Sequence, residues 1–264
     1  MSTSTMPSEG GFRTVLNILL EPATAFAGLR ERPTWLLPTL LVAGGTALVM
    51  LWYFSILDIP WFLENLLYQG GADPTQDQID AFREGTEDLS PMVFMISGFL
   101  GAIFGLIVIW ILQAGYLTLV SALTGDGFRF ANWFCLATWT SIPSLLTIVG
   151  MAITLALNPN GQISQMDLDP LSFGNLGLQF GDSGINNAIG QFSLTQLWTM
   201  GLLVYGYRLW LKGPWLKSAI IVLLPQLLLI GVMIFLFSGG MDFSVSFIDA
   251  EGGGDGGIAV SVSL

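Results

Sequence analysis

The chain has 264 residues, of which 53% are hydrophobic and only 10% charged, and its mean hydropathy is +0.69. Ordinary soluble domains carry about 25% charged residues, so the composition excludes a soluble globule and predicts a polytopic membrane protein. The net charge of −11 argues against nucleic acid or an anionic membrane surface as the main partner, and the absence of histidine removes Ser-His-Asp, Cys-His and histidine-ligated metal chemistry together.

Residues 1–11, MSTSTMPSEGG, read as a disordered polar tail. Over 12–34 the apolar residues Phe12, Val15, Leu16, Leu19, Leu20, Phe26 and Leu29 recur with helical periodicity, interrupted at Pro22 and flanked by Arg13, Arg30 and Arg32. This pattern predicts a cytoplasmic helix lying in the membrane interface. The first apolar run, 15–20, is too short for a cleavable signal and stops at Glu21-Pro22, so the first true span is expected to direct insertion.

Residues 35–57 form the first predicted span, with Trp35, Trp52 and Tyr53 as interfacial aromatics. The hydrophilic segment 58–91 has Trp61, Phe62, Leu66 and Leu67 available for a short interfacial helix over 60–69. Asp73-Pro74 then reads as an N-cap pair, opening an acidic helix with Ile79 and Phe82 turned inward.

The run 92–120 holds no charged residue and is the strongest span in the chain. About 20 apolar helical residues cross a hydrocarbon core about 30 Å thick, so it crosses with some tilt. Ser97, Gly101 and Gly105 recur every fourth residue on one face, a small-residue seam for close helix packing. Such a seam serves either a dimer or a neighbouring span.

A tight glycine-containing link, 121–130, leads to a third span over 131–157, with Thr138, Thr140, Ser141 and Thr147 around Pro143. The only cysteine, Cys135, lies in this apolar stretch, so no disulfide forms within a monomer. Residues 158–193 form a long loop without Lys or Arg. The fourth and fifth spans are 194–211 and 215–238, separated by Lys212-Gly213-Pro214, and the last contains Pro225-Gln226.

The tail 239–264 changes period. Phe243, Val245 and Phe247 alternate with small or polar residues, as do Ile258, Val260, Val262 and Leu264 across a glycine-rich turn. This predicts an extracytoplasmic β-hairpin. With the N-terminus inside, the inner segments hold Arg13, Arg30, Arg32, Arg129, Arg208, Lys212 and Lys217, and the outer segments only Arg83. The predicted fold is therefore an all-α polytopic membrane protein of five transmembrane helices, N-in and C-out. An N-terminal interfacial helix and a small outer β-rich elaboration complete it.

Candidate chemistry is sparse. Gly181-Asp182-Ser183-Gly184 resembles the surroundings of a serine nucleophile, but no histidine exists to act as base. Gly125-Asp126-Gly127 is a turn between spans. Asp242, Asp249, Glu251 and Asp255 carry oxygen ligands suited to Ca²⁺, yet their spacing matches no EF-hand loop and a solvated acidic hairpin explains them. No catalytic residue, cofactor or metal site is predicted. Gln113, Thr138, Thr140, Ser141, Pro143, Tyr205, Tyr207 and Gln226 either line a polar cavity or act as interhelical hydrogen bonds. Leu37-Pro38, Ile142-Pro143 and Leu224-Pro225 share a local pattern in alternate spans, though the prolines lie at different depths.

Two segments resemble the Yip family, membrane proteins named for interacting with Rab/Ypt GTPases. LEPATAFAGLRERP, starting at Leu20 and ending at Pro33, is similar to the opening of bacterial members. Gly125-Asp126-Gly127-Phe128-Arg129-Phe130, with Ala137 through Ile142-Pro143, is similar to their second link and third span. The resemblance covers roughly 15–238. The long cytosolic N-terminal region and the Asp-Leu-Tyr-Gly-Pro motif of eukaryotic members are absent, so Rab binding does not carry over, and neither does any catalytic residue. The resemblance implies a non-enzymatic scaffold or accessory subunit in a bacterial inner membrane. Expected partners are the lipid bilayer and other membrane proteins, such as a transporter or a periplasmic protein reached through the 158–193 loop and the C-terminal hairpin. A second copy of the chain is another. The alternative is a small-molecule or lipid transporter or channel.

Overall fold

The computed structural model describes residues 11–69, 75–77, 79–80, 90–178, 186, 189–235, 242–248 and 257–263, with the strand side chains left aside. Residues 1–10, Asp73-Pro74, Phe82, Arg83, the Gly181–Gly184 motif, Asp249, Glu251 and Asp255 lie outside the described residues.

Two short helices open the chain, α1 (Gly11–Leu20) and α2 (Pro22–Glu31). Pro22 suits the first turn of α2, where its missing N–H is not needed, and Glu21 N–H closes α1 on Asn17 O at 2.8 Å. The pair buries Ile18, Ala25, Phe26 and Leu29 against the bundle. Phe12, Leu16 and Leu20 on the other face of α1 stay 72%, 58% and 78% exposed. The 12–34 segment is thus two helices with two apolar faces.

Next comes a helix continuous from Leu36 to Ile56, made of α3 (Leu36–Thr39), a wide π turn at Leu40–Gly44 and α4 (Gly45–Ile56). A short helix α5 (Ile59–Gln69) follows. The long α6 (Pro91–Thr124) has 34 residues, about 51 Å at the usual helical rise. It ends where Gly125 enters the left-handed region (φ 70°) and donates to Ser121 O. Helices α7 (Phe130–Thr140) and α8 (Ser144–Leu157) are bent by 41° about Pro143. Then come α9 (Leu194–Leu211) and α10 (Trp215–Phe235). Strands β1 (Asp242–Ile248) and β2 (Gly257–Ser263) pair antiparallel, with Phe243 opposite Val262 and Val245 opposite Val260.

The expectation of five spans with an outer β-rich elaboration is corrected here. Among the described residues two helices, Leu36–Ile56 and Pro91–Thr124, are long and apolar enough to cross a membrane, and three if the bent Phe130–Thr140 and Ser144–Leu157 pair is one span. The reason is physical. The 18 residues of α9 include Thr195, Gln196, Thr199, Tyr205, Tyr207 and Arg208, which dilute its hydropathy. For α10 the apolar stretch among the described residues runs over Trp215–Leu228, short of a spanning length. Strand structure among the described residues is one two-stranded ladder plus the isolated Ser172–Ser193 bridge, too little for a β-rich layer. The chain is in substance helical.

The helices pack as α4 on α6, α6 on α7, α9 on α10, and α2 and α7 on α9. Two cores result. The larger joins Phe26, Trp110, Trp133, Trp139, Leu203 and Trp210, and the smaller joins Val49, Met50, Tyr53, Leu155, Ile163 and Leu168. The larger core reaches the end where Arg13, Arg30, Arg32, Arg129, Arg208, Lys212 and Lys217 lie, hereafter the arginine end. The smaller core sits at the opposite, loop end.

Candidate functional site

Proline is the starting point for the interior, because each proline in a helix leaves the carbonyl four residues earlier without its N–H partner. At Pro225 the freed group is Ile221 O, and it accepts the hydroxyl of Tyr116 from α6 at 2.9 Å. Just ahead of the N-cap of α3, four residues before Pro38, Thr34 O accepts the Trp139 indole N–H from α7 at 2.6 Å. At the Pro143 bend Ser141 Oγ donates to Ala137 O at 3.0 Å and accepts the Trp110 indole at 2.9 Å. Aromatic side chains from neighbouring helices thus engage polar groups around all three prolines.

The predicted polar set is dispersed. Thr138 donates to Phe134 O and Cys135 O at 3.0 Å, and Thr140 to Ala137 O at 3.0 Å, so both are spent within their own helix. Pro143 is buried at the bend. Tyr207 is buried and stacked on Trp133 at 5.3 Å, and Tyr205 is half-buried between Phe26 and Trp215. Gln113 and Gln226 are half-buried on α6 and α10, and Gln226 Oε1 has no partner among the described residues. None of these eight lines the cavity at the loop end described below.

The close intramolecular contact of α6 falls beside the predicted seam. Gly98, not Gly101 or Gly105, receives a neighbour: the Phe54 ring sits where its Cβ would be. Ser97 and Gly101 are exposed and Gly105 is half-buried, and no atom lies within 4 Å of a Cβ built on either glycine. Intramolecular packing uses the adjacent face of α6.

At the arginine end aromatic rings clip α2 to the bundle. Trp210 Nε1 donates to Phe26 O at 2.8 Å, Phe128 stacks on Trp210 at 5.5 Å, and Trp133 Nε1 donates to Ser121 Oγ at 2.9 Å. The Arg30 and Arg208 guanidinium groups lie 5.5 and 4.3 Å from the centroids of Phe128 and Trp215.

At the loop end a polar cavity of about 440 Å³ opens between α4, α8, α9 and the 164–172 segment. Its frame begins with the left-handed Gly161 (φ 71°), which lies so close to Ile56 O that a side chain would collide. Asp58 N–H donates to Gly161 O at 3.2 Å, Gln162 Nε2 to Asp58 Oδ2 at 2.9 Å, and Tyr53 hydroxyl to Ile163 O at 3.1 Å. These bonds pin the loop to the end of α4. On the other side Ser193 and Gln196 form a capping box that starts α9, and Leu194 N–H donates to Leu171 O at 3.0 Å. Thr147 and Thr195 hydroxyls meet at 2.6 Å across α8 and α9.

Hydroxyls of Ser144, Thr147, Ser172 and Thr195, the amides of Gln191 and Gln196, and the carboxylate of Asp169 line the cavity. Met50, Phe62, Met151 and Leu168 supply its apolar wall. Of these residues, Phe62 and Thr147 stood out in the sequence, the first for an interfacial helix and the second in the Pro143 cluster. The readable signal was the Ser193-x-x-Gln196 capping pattern before an apolar run; nothing local announced that 164–172 folds back on it. Among the described residues no three Cys, Asp or Glu side chains converge as metal ligands would.

No curated protein and no solved structure matches the chain. The family model described as the Yip1 domain matches residues 16–237, which take in both the aromatic-clipped arginine end and the loop-end cavity. With that match and its long apolar helices, the chain is an integral membrane protein that belongs to the Yip1 domain family.

Proposed function

We propose that this Yip1 domain protein works without chemistry of its own, as a scaffold or accessory subunit of a membrane complex with a trafficking or export-like role. The observation that carries this reading is how the polar groups in the helices are spent. Tyr116, Trp139, Trp110, Thr138, Thr140 and Ser141 all engage backbone or side-chain partners inside the bundle. Polar groups used this way stiffen a body rather than serve as a nucleophile or base.

The charge distribution supports a bacterial inner-membrane setting. Seven of the eight Lys and Arg residues fall on the elements of the arginine end, which we assign to the cytoplasmic side. The N-terminal helices then lie against the cytoplasmic leaflet and the C-terminal strands on the periplasmic side. On that side the 158–193 loop and the edge of the β1–β2 pair offer backbone groups to a partner by strand addition. The exposed Ser97 and Gly101 face of α6 is the surface we assign to self-association.

The transporter or channel reading asks for a continuous polar path. The cavity lining ends at Ser144 and Thr147 and includes none of Gln113, Thr138, Tyr207 or Gln226. Removing residues 243–264 tests the docking side: loss of detergent-stable partners supports periplasmic docking, and full retention refutes it.

A further inference from the structure

The scaffold reading leaves the loop-end cavity without a role. Its volume of about 440 Å³ is more than ten times the about 30 Å³ share of a liquid water molecule, so a lone water or bare ion would not fill it. Asp169 is its single charged lining residue. Oδ1 of Asp169 accepts the Leu171 N–H at 2.9 Å, and Oδ2 has no hydrogen-bond partner among the described residues. No Lys or Arg occurs in the described parts of 58–69, of 157–178 or of 189–197, whereas Asp58, Glu64, Asp167 and Asp169 do. An anionic ligand would meet carboxylates with nothing to balance them; a cation meets a negative field in a partly enclosed space.

The rest of the lining has a different chemistry. Met50 and Met151 present adaptable thioethers and Phe62 an aromatic ring, surfaces that suit alkyl groups around a positive centre. Gln191, Gln196 and Ser144 line the same cavity and carry amide and hydroxyl groups that could partner a ligand hydroxyl. From this arrangement we propose that the loop-end cavity binds a small organic ammonium cation, its charge at Asp169 and its alkyl groups against Met50, Phe62 and Met151.

This chemistry has two sources, a free amino alcohol or the headgroup of a zwitterionic lipid, and the test separates them. The purified full chain in maltoside detergent is titrated calorimetrically with choline chloride, with 3,3-dimethyl-1-butanol as its uncharged isostere, and with dihexanoylphosphatidylcholine. Saturable binding of choline, at least about tenfold tighter than the isostere, is expected. Binding of the short-chain lipid with no binding of choline keeps the ammonium site and assigns its source to lipid.

The variants Asp169→Asn and Ser144→Leu check the site. Asn retains the oxygen that accepts from Leu171, so the turn is kept while the charge goes, and a loss of about tenfold or more in affinity is expected. Ser144→Leu fills the cavity from α8 and abolishes binding without touching the carboxylate. Equal binding of choline and its neutral isostere, unchanged affinity in both variants, or no heat from either ammonium compound overturns the proposal.

Discussion

The Tyr116 hydroxyl donates at 2.9 Å to Ile221 O, the carbonyl that Pro225 deprives of its helical partner. A side chain on α6 thereby completes the backbone of α10, 105 residues away. In a membrane no water is at hand to do this, so the bond joins a local defect to a tertiary contact.

Tyr116→Phe is expected to cost about 1–2 kcal/mol, because it strands a buried carbonyl. In a Pro225→Ala background the helix supplies its own N–H to Ile221 O, and the same substitution should cost less than about half as much. Thermal unfolding of the four proteins in detergent checks the coupling. Additive effects would mean that Tyr116 does not serve the proline site.

Trp139→Phe removes the indole N–H that reaches Thr34 O at 2.6 Å while keeping most of the buried ring. A loss of about 1–3 kcal/mol is expected, from the stranded carbonyl and the volume lost in a close-packed core. Denaturant unfolding followed by tryptophan emission would measure it.

Trp210→Phe breaks the bond to Phe26 O, which clips α2 to the end of α9. The bundle should persist, with α1 and α2 opening more often. Faster tryptic cleavage after Arg30, with the remaining body intact, is the expected readout. An unchanged cleavage rate would show that stacking on Phe128 and the packing of Ile18 hold the helices alone.

Glycines on α6 and α9 should separate by what faces them. A Cβ at Gly206 would stand 2.5 Å from Leu136 Cδ1 and 3.4 Å from the Phe26 ring, so Gly206→Val overpacks and should cost about 1–3 kcal/mol. Gly98→Leu should be costly as well, because Phe54 occupies its Cβ position. Gly101→Leu should leave monomer stability nearly unchanged, since nothing lies within 4 Å. Melting temperatures of the three variants make the comparison.

Much of the helical layout was readable. The charge-free run around 92–120 lies within α6, and the Pro22 interruption separates α1 from α2. The span count was not readable, because the apolar bias of α9 resembles spanning character until Thr195, Gln196 and Arg208 are weighed by position. The cavity was less legible still. Asp169, Ser172 and Gln196 gain meaning only when the 158–178 segment folds back on α4 and α9, and bonds such as Tyr53 to Ile163 leave no local periodicity behind. Ser97, Gly101 and Gly105 repeat every four residues, while the intramolecular contact with Phe54 falls beside them, at Gly98.

The most direct test of a role as a scaffold or accessory subunit is stoichiometric co-purification. The full chain is tagged at its N-terminus, extracted mildly and analysed by quantitative mass spectrometry, and each companion is tagged in turn. Recovery of the same membrane protein at a fixed ratio from both directions is the result predicted. A chain that purifies alone, and that moves a solute across liposomes by itself, would contradict it.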